Sequence, residues 1–302
     1  LVLLLIPAAP GTGGQGAGAA NRPTGTAWSR QEEEMSQAGN LQELKKALSR
    51  EIRKSGLSVS LSLYDFESGS WLEINGEREI YPASMIKTLL LLALLHQAEK
   101  GALDLEAPHL FTEKDKYAGS TFVSGTGILQ YEEEGTVLTV EELLRLMVSY
   151  SDNIATNILM DLVGREEIAA MAERLELQNT RFTRKMYNLE SSLPSNRSTT
   201  RDLATMLIAL EERRVAGEEL TQIGIAAMKA TIDKSRIGRY LPKEIEVANK
   251  IGTVSHMVGD MALLYFPHRP PLALAIAVEN PPNQEDAAHL IGCLARQLCQ
   301  LD

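Results

Sequence analysis

A serine and a lysine, Ser84 and Lys87, stand three residues apart in YPASMIKTLL at the mouth of an almost wholly apolar run. Residues three apart share one face of a helix, so Ser84 Oγ and Lys87 Nζ can meet there. An ammonium at the edge of a core escapes its desolvation penalty by finding a partner or by releasing its proton. Deprotonated, it is a base beside a hydroxyl, the pairing that nucleophilic catalysis requires. A serine in a first helical turn also lies in the positive end of the helix dipole, which favours an alkoxide and its adduct. Ser-x-x-Lys arises often by chance, so the pair needs company before it means catalysis. SYSDNIATN carries Ser151, Asp152 and Asn153 at a helix start, where capping alone would favour such residues. ANKIGTVSH carries Lys250, Gly252 and Thr253 on a late strand, where a solvated edge lysine beside a bulge glycine is the plainer reading.

These side chains can meet only if the elements that carry them pack together. Leu41, Leu44, Leu48 and Ile52 recur at helical spacing in NLQELKKALSREIRKSG, and Gly56 ends that helix. LSVSLSLYDFESGSWLEI alternates Leu57, Val59, Leu61 and Leu63 with serines before a turn at Ser68 to Ser70, which predicts a hairpin. Helices are expected over Thr88 to Ala98, Thr139 to Tyr150, Asn153 to Val163, Arg165 to Leu175, Thr200 to Glu212 and Glu218 to Ala230, with Thr139 and Glu142 forming a capping box. Strands return in EVANKIGT, DMALLYF and LALAIAVE, and QEDAAHLIGCLARQL closes the chain as an amphipathic helix. This order predicts an α+β fold. Its antiparallel sheet is built from both chain ends, residues 40–87 and 231–302, and is flanked by the terminal helices. An all-helical domain, residues 88–230, is inserted between the second and third strands. The apolar run after Lys87 is too short to cross a bilayer and reads as a central buried helix.

A chain of 302 residues, 44% of them hydrophobic, can bury a sizeable core. Its formal charge of -10 disfavours nucleic acid and anionic membrane as partners. LVLLLIPAAP followed by GTGGQGAGAA reads as the apolar and cleavage regions of a secretory signal over residues 1–20, with a polar linker over 21–39. The mature protein is therefore expected to be exported, and to be a monomer. Gly11, Gly13 and Gly16 imitate a dinucleotide-binding turn, but Pro7 and Pro10 break the strand that turn needs and no helix pattern follows. Cys293 and Cys299 face different sides of one helix, which argues against a disulfide. His96, His109, His256, His268 and His289 are scattered without paired-ligand spacing, so neither a metal nor a cofactor is expected. His256, close after Thr253, is a candidate to line a cleft.

Ser-x-x-Lys, Ser-Asp-Asn and Lys-Thr-Gly, in that order, mark class A β-lactamases and penicillin-binding proteins. From about residue 40 to its C-terminus the chain resembles a class A β-lactamase-type serine hydrolase of the penicillin-recognising superfamily. The resemblance implies that Ser84 attacks a carbonyl to give an acyl-enzyme and that Lys87 helps to take its proton. It further implies that Ser151 relays a proton to the leaving nitrogen, with Lys250 holding Ser151 and attracting a substrate carboxylate. Asn153 would bind the substrate's side-chain amide, and Asp152 would support its loop. The N–H groups of Ser84 and Thr253 would hold the oxyanion, with Gly252 letting substrate approach the strand. Arg236 matches a carboxylate-binding arginine of some members, a surface ion pair being the alternative.

Two departures stand out. Ile251 replaces a hydroxyl residue in the third motif. The loop TRFTRKMYNLESSLPSNRS places Met186 or Tyr187 where the family has its deacylating glutamate, leaving Glu190 as the nearest carboxylate. Without a base to activate water, acylation can run while hydrolysis stalls. Three functions follow as expectations: a β-lactamase-like hydrolase, with a β-lactam as small-molecule substrate; a peptidase or esterase acting on D-Ala-D-Ala-like peptides or small esters; and a penicillin-binding sensor in which acylated Ser84 is the signal.

Overall fold

The computed structural model describes residues 27–188 and 190–299, with side chains from Leu41 onward. The expected signal over residues 1–20 lies outside them. The expected linker does not extend to residue 39, because helix α1 spans Ala27–Ser55. Its first half lacks apolar periodicity, yet Gln, Glu, Arg and Met are good helix formers, and propensity prevails there over pattern.

Strands β1 (Ser58–Asp65) and β2 (Ser70–Ile74) form the expected hairpin. A 3-10 turn, Ala83–Ile86, runs directly into helix α2 (Lys87–Glu99). Two short ladders follow that alternating hydrophobicity does not announce: β3 (Pro108–Leu110) with β6 (Val137–Thr139), and β4 (Tyr117–Ala118) with β5 (Thr121–Phe122). Helices α3 (Val140–Ser149), α4 (Asn153–Val163), α5 (Arg165–Arg174), α6 (Thr200–Glu211) and α7 (Glu218–Lys229) lie within two residues of their expected bounds. The Thr139–Glu142 capping box is present, with reciprocal bonds of 3.1 and 2.8 Å.

Strands β7 (Glu246–Val254), β8 (Met257–Tyr265) and β9 (Leu272–Glu279) complete a five-stranded antiparallel sheet, ordered β2-β1-β9-β8-β7. Its centre pairs β1 with β9, so the two ends of the folded chain meet in adjacent strands. Helix α8 (Gln284–Leu298) packs on β8 and β9, and α6 packs on β1, β8 and β9. With both faces covered, Ser60 and Ser62 of β1 are as buried as the neighbouring Leu61 and Leu63. Ser62 meets its polar need at the start of α6, 3.0 Å from Thr200 Oγ1. Helix α2 is buried from Lys87 to Leu95 and packs against α3, α4, α5, α6 and α7, which makes it the axle of the helical part. Among the described residues no helix is long and apolar enough to cross a membrane.

Candidate active site

Pro82 precedes the 3-10 turn, and Ala83 takes a left-handed φ of 45°. Such a backbone stores about 1–3 kcal/mol in a non-glycine residue and persists only where its surroundings hold it. Strand β7 does so. A Cβ added to Gly252 would lie 2.7 Å from Pro82 O and 3.1 Å from Met85 Cγ, and one on its sheet partner Gly259 would lie 2.5 Å from Met85 Cε. Gly252 therefore lets the strand approach the serine turn. Ser84 sits in the 3-10 turn, half-buried, one residue after the strained alanine. In such a turn positions i and i+3 eclipse, which stacks Lys87 behind it.

Lys87 is fully buried and donates to Ser151 O at 2.7 Å and Asn153 Oδ1 at 2.9 Å, with Ser151 Oγ and Asp152 O each at 3.4 Å. Burial holds its pKa well below that of an ordinary lysine; the Lys250 charge adds to the shift, and Asp152 opposes it. In its neutral form the amine would use its two N–H donors in the two short bonds and keep one lone pair to accept a proton. Lys250, 1% exposed, donates to Ser151 Oγ at 2.8 Å and Ile251 O at 3.2 Å. Burial pushes its pKa down to about 7; Asp260 opposes that shift, Arg236 reinforces it, and Asp233 opposes it. Ser151 thus stands between two lysines that come from segments 64 and 99 residues away in sequence.

Asp152 fixes the loop that carries Ser151. Its Oδ1 caps α4 through the N–H groups of Ile154 and Ala155, both at 2.9 Å, and its Oδ2 accepts from Ile128 N at 2.7 Å and Leu129 N at 2.9 Å. Asn153 accepts from Lys87 and donates one amide hydrogen to Ser124 O at 2.9 Å, which leaves its second amide hydrogen for a ligand. Arg236 is 7% exposed, so it is not a surface ion pair. Its guanidinium donates to Gly259 O at 2.9 Å and to Thr253 Oγ1 at 2.6 Å, and so reaches the site through Thr253.

Ser84, Asn153 and Thr253 open on one cleft of about 420 Å³, whose other walls are Tyr81, Gly125, Thr126, Val254, the loop residues Arg184 to Asn188, and Ser195 with Asn196. The N–H of Ser84 belongs to a first turn and so lacks an intrahelical acceptor. Strand β7 is a sheet edge whose outward N–H groups are free of the ladder.

A family model described as the beta-lactamase enzyme family matches residues 43–301. The chain belongs to that family. It is a serine hydrolase of the class A type. The β-lactamase of Streptomyces albus G is 26% identical over 270 residues, covering 85% of this chain and 83% of that protein. The crystal structure of a β-lactamase from Sphaerobacter thermophilus superposes with a TM-score of 0.78 at 29% identity, over 85% of this chain and 95% of that one. A leucine-to-glutamate mutant of PBP-A, in an acyl-enzyme complex with penicillin G, shares the fold with a TM-score of 0.76 at 23% identity, over 87% and 96% of the two chains.

Within this family member two sequence expectations change. Glu190 does not reach the cleft: it is fully exposed, and hydrogen bonds from Ser120 Oγ and Ser120 N hold its carboxyl below the usual range. It ties the loop to the β4–β5 hairpin. Met186 stands at the cleft wall instead, its backbone clamped by Asn157, with Met186 N donating to Oδ1 at 2.7 Å and Nδ2 donating to Met186 O at 3.0 Å. Asn157 was not singled out in the sequence, although it lies one helical turn after Asn153 on α4, the spacing that puts two side chains on one face. His256 stacks against Tyr81, ring centroids 5.7 Å apart, and faces a neighbouring cavity.

Proposed function

We propose that Ser84 is acylated by β-lactams and that this chain hydrolyses the acyl-enzyme slowly. The observation that carries the reading is Ser151 Oγ held between Lys87 and Lys250 beside a cleft that contains Ser84. Neutral Lys87 takes the Ser84 hydroxyl proton as Oγ bonds to the lactam carbonyl carbon. Charge passing to the carbonyl oxygen meets the N–H groups of Ser84 and Thr253. As the C–N bond breaks, Ser151 Oγ gives its proton to the leaving nitrogen and takes back from Lys87 the proton that came from Ser84, while Lys250 stays cationic. Lys250, with Thr253 oriented by Arg236, attracts the substrate carboxylate, and Asn153 binds the side-chain amide. The acyl-enzyme with penicillin G in a protein of this fold supports the first half of the cycle.

Slow deacylation rests on Met186. A thioether cannot take a proton from water, so the ester lacks the base that would turn it over. Export of the mature protein belongs to the same reading, supported by the apolar and small-residue segment over residues 1–20. The test is an intact-mass time course of the mature protein after addition of penicillin G, with Ser84→Ala as control. A lasting adduct that is lost in Ser84→Ala is expected. Rapid drug loss with no accumulating adduct would overturn the slow step, and neither adduct nor drug loss would overturn β-lactam chemistry altogether.

A further inference from the structure

Beyond Tyr81 a second cavity of about 390 Å³ adjoins the Ser84 cleft, and the two share Tyr81, Ser195 and Asn196 as a common wall. Its lining is rich in charge, and most of that charge is spoken for. Glu79 pairs with Arg197 at 2.6 Å, and Glu279 pairs with Arg78 at 3.1 Å. Arg181 is the exception. Its backbone is pinned to Arg197 by reciprocal bonds of 2.9 and 3.0 Å, its side chain is half-buried on the cavity wall, and among the described residues no carboxylate lies within ion-pair distance of it. With the two pairs cancelling, Arg181 leaves one surplus positive charge at the wall of this cavity, at a residue whose backbone is fixed and which also lines a neighbouring cavity beside α5.

The direction of a bound substrate follows from the chemistry. With Ser151 and Lys250 receiving the leaving nitrogen as proposed above, the acyl part turns away from them, and Tyr81 and Asn196 are walls of the Ser84 cleft that it can follow. The geometry points to a second subsite for the acyl arm: a substrate whose acyl chain passes Tyr81 and ends in a carboxylate would set that carboxylate against Arg181. The preferred substrate class is then a carboxylate-terminated acyl chain, of the kind an amino-acid side chain or peptide terminus supplies, in place of a short apolar arm. This rests on Ser84 acylation as proposed above. A planar guanidinium meets a carboxylate through two parallel hydrogen bonds, which gives the subsite selectivity for shape as well as charge.

The experiment uses penicillins acylated at the side-chain amine with linear dicarboxylic half-amides of increasing length, each prepared as the free acid and as its methyl ester. Acylation of Ser84 is followed by intact mass, and the ratio of acid to ester rate is the readout. At one or more arm lengths the acid is expected to react about tenfold faster than its ester, as charge-assisted hydrogen bonding warrants. Arg181→Gln should bring that ratio to near one, and Arg181→Lys should retain part of it. A ratio near one at every length in the unaltered protein, or a preference that survives Arg181→Gln, would overturn the subsite. If neither acid nor ester nor penicillin G labels Ser84, the acylation reading falls and the subsite falls with it.

Discussion

Lys250 and Asp260 are both buried, and each environment resists the charge it carries. Burial pushes the Asp260 carboxyl up to about 6, opposed by Arg236 and by hydrogen bonds from Asn249 and the Ile237 N–H, while Lys250 is pushed down to about 7. Asp233, Arg236 and Lys234 surround the pair; Lys234 donates to Asn249 Oδ1 at 2.7 Å and burial lowers its pKa to about 8. In the proposed mechanism the cationic form of Lys250 attracts the substrate carboxylate, so acylation should fall as pH rises through about 7. Asp260→Asn keeps shape and acceptor but removes the negative charge that favours the ammonium. The falling limb of the acylation rate should therefore move to lower pH, and an unmoved limb in stopped-flow profiles would show that Asp260 does not act on Lys250. In the same mechanism the rising limb is assigned to Lys87, acting as the base in its neutral form. Met186→Glu addresses the other half of the cycle. Its backbone is already clamped by Asn157 at the cleft wall, so a carboxylate there should shorten the penicillin adduct's lifetime by about a hundredfold or more, the usual worth of a general base. An unchanged decay in the mass time course would mean that the side chain does not reach the ester.

Elements aim these residues through close backbone approaches and helix starts. Gly252→Ala would drive a Cβ against Pro82 O, a backbone atom that cannot step aside as a flexible side chain does. Strand β7 must then move off the serine turn and carry Thr253, the proposed second oxyanion donor, with it. Acylation should fall on the order of a hundredfold, as for loss of one oxyanion donor, and overpacking should lower stability by about 1–3 kcal/mol, read as a drop in Tm. Asp152→Ala would strip four N–H groups of their acceptor at once. The lost cap and the unmet loop donors together predict about 2–4 kcal/mol of destabilisation in denaturant titration, with the Ser151 loop loosened. The helices carrying these features were legible in the sequence because their signals are local: Thr139 with Glu142, Asp152 before an apolar run, and the apolar run from Leu89 to Leu95 after Lys87. The strained turn at Ala83 was not, since alanine gives no local reason for a positive φ; it is imposed by a strand some 170 positions further along, by the same spacing that separates Ala83 from Gly252. The β3–β6 and β4–β5 ladders are tertiary pairings of two or three residues, too short to carry a period.

At the scale of the molecule, the motifs named the chemistry and only the fold supplies the distances. Ser151 and Lys250 meet because, after the helical insertion, the chain returns to the sheet at the edge opposite its first strands, and that edge is held by β8, then β9, then β1. The sheet's outer face depends on α8, where Leu290, Ile291, Leu294 and Leu298 are 5% exposed or less. Burying four such side chains contributes about 6–12 kcal/mol, at 1.5–3 kcal/mol each, which matches the whole net stability of an ordinary domain. A chain ended before Gln284 should therefore fail to fold cooperatively: its near-ultraviolet circular dichroism should be lost, and Ser84 should not be acylated although every catalytic side chain is still present. Cooperative melting of the shortened chain with acylation intact would mean that β8 and β9 hold the site without a helix behind them. Loss of acylation alone, with a sharp melt retained, would place the role of α8 in the register of β7 against the serine turn, and hydrogen exchange along β7 and β8 would then locate the slip.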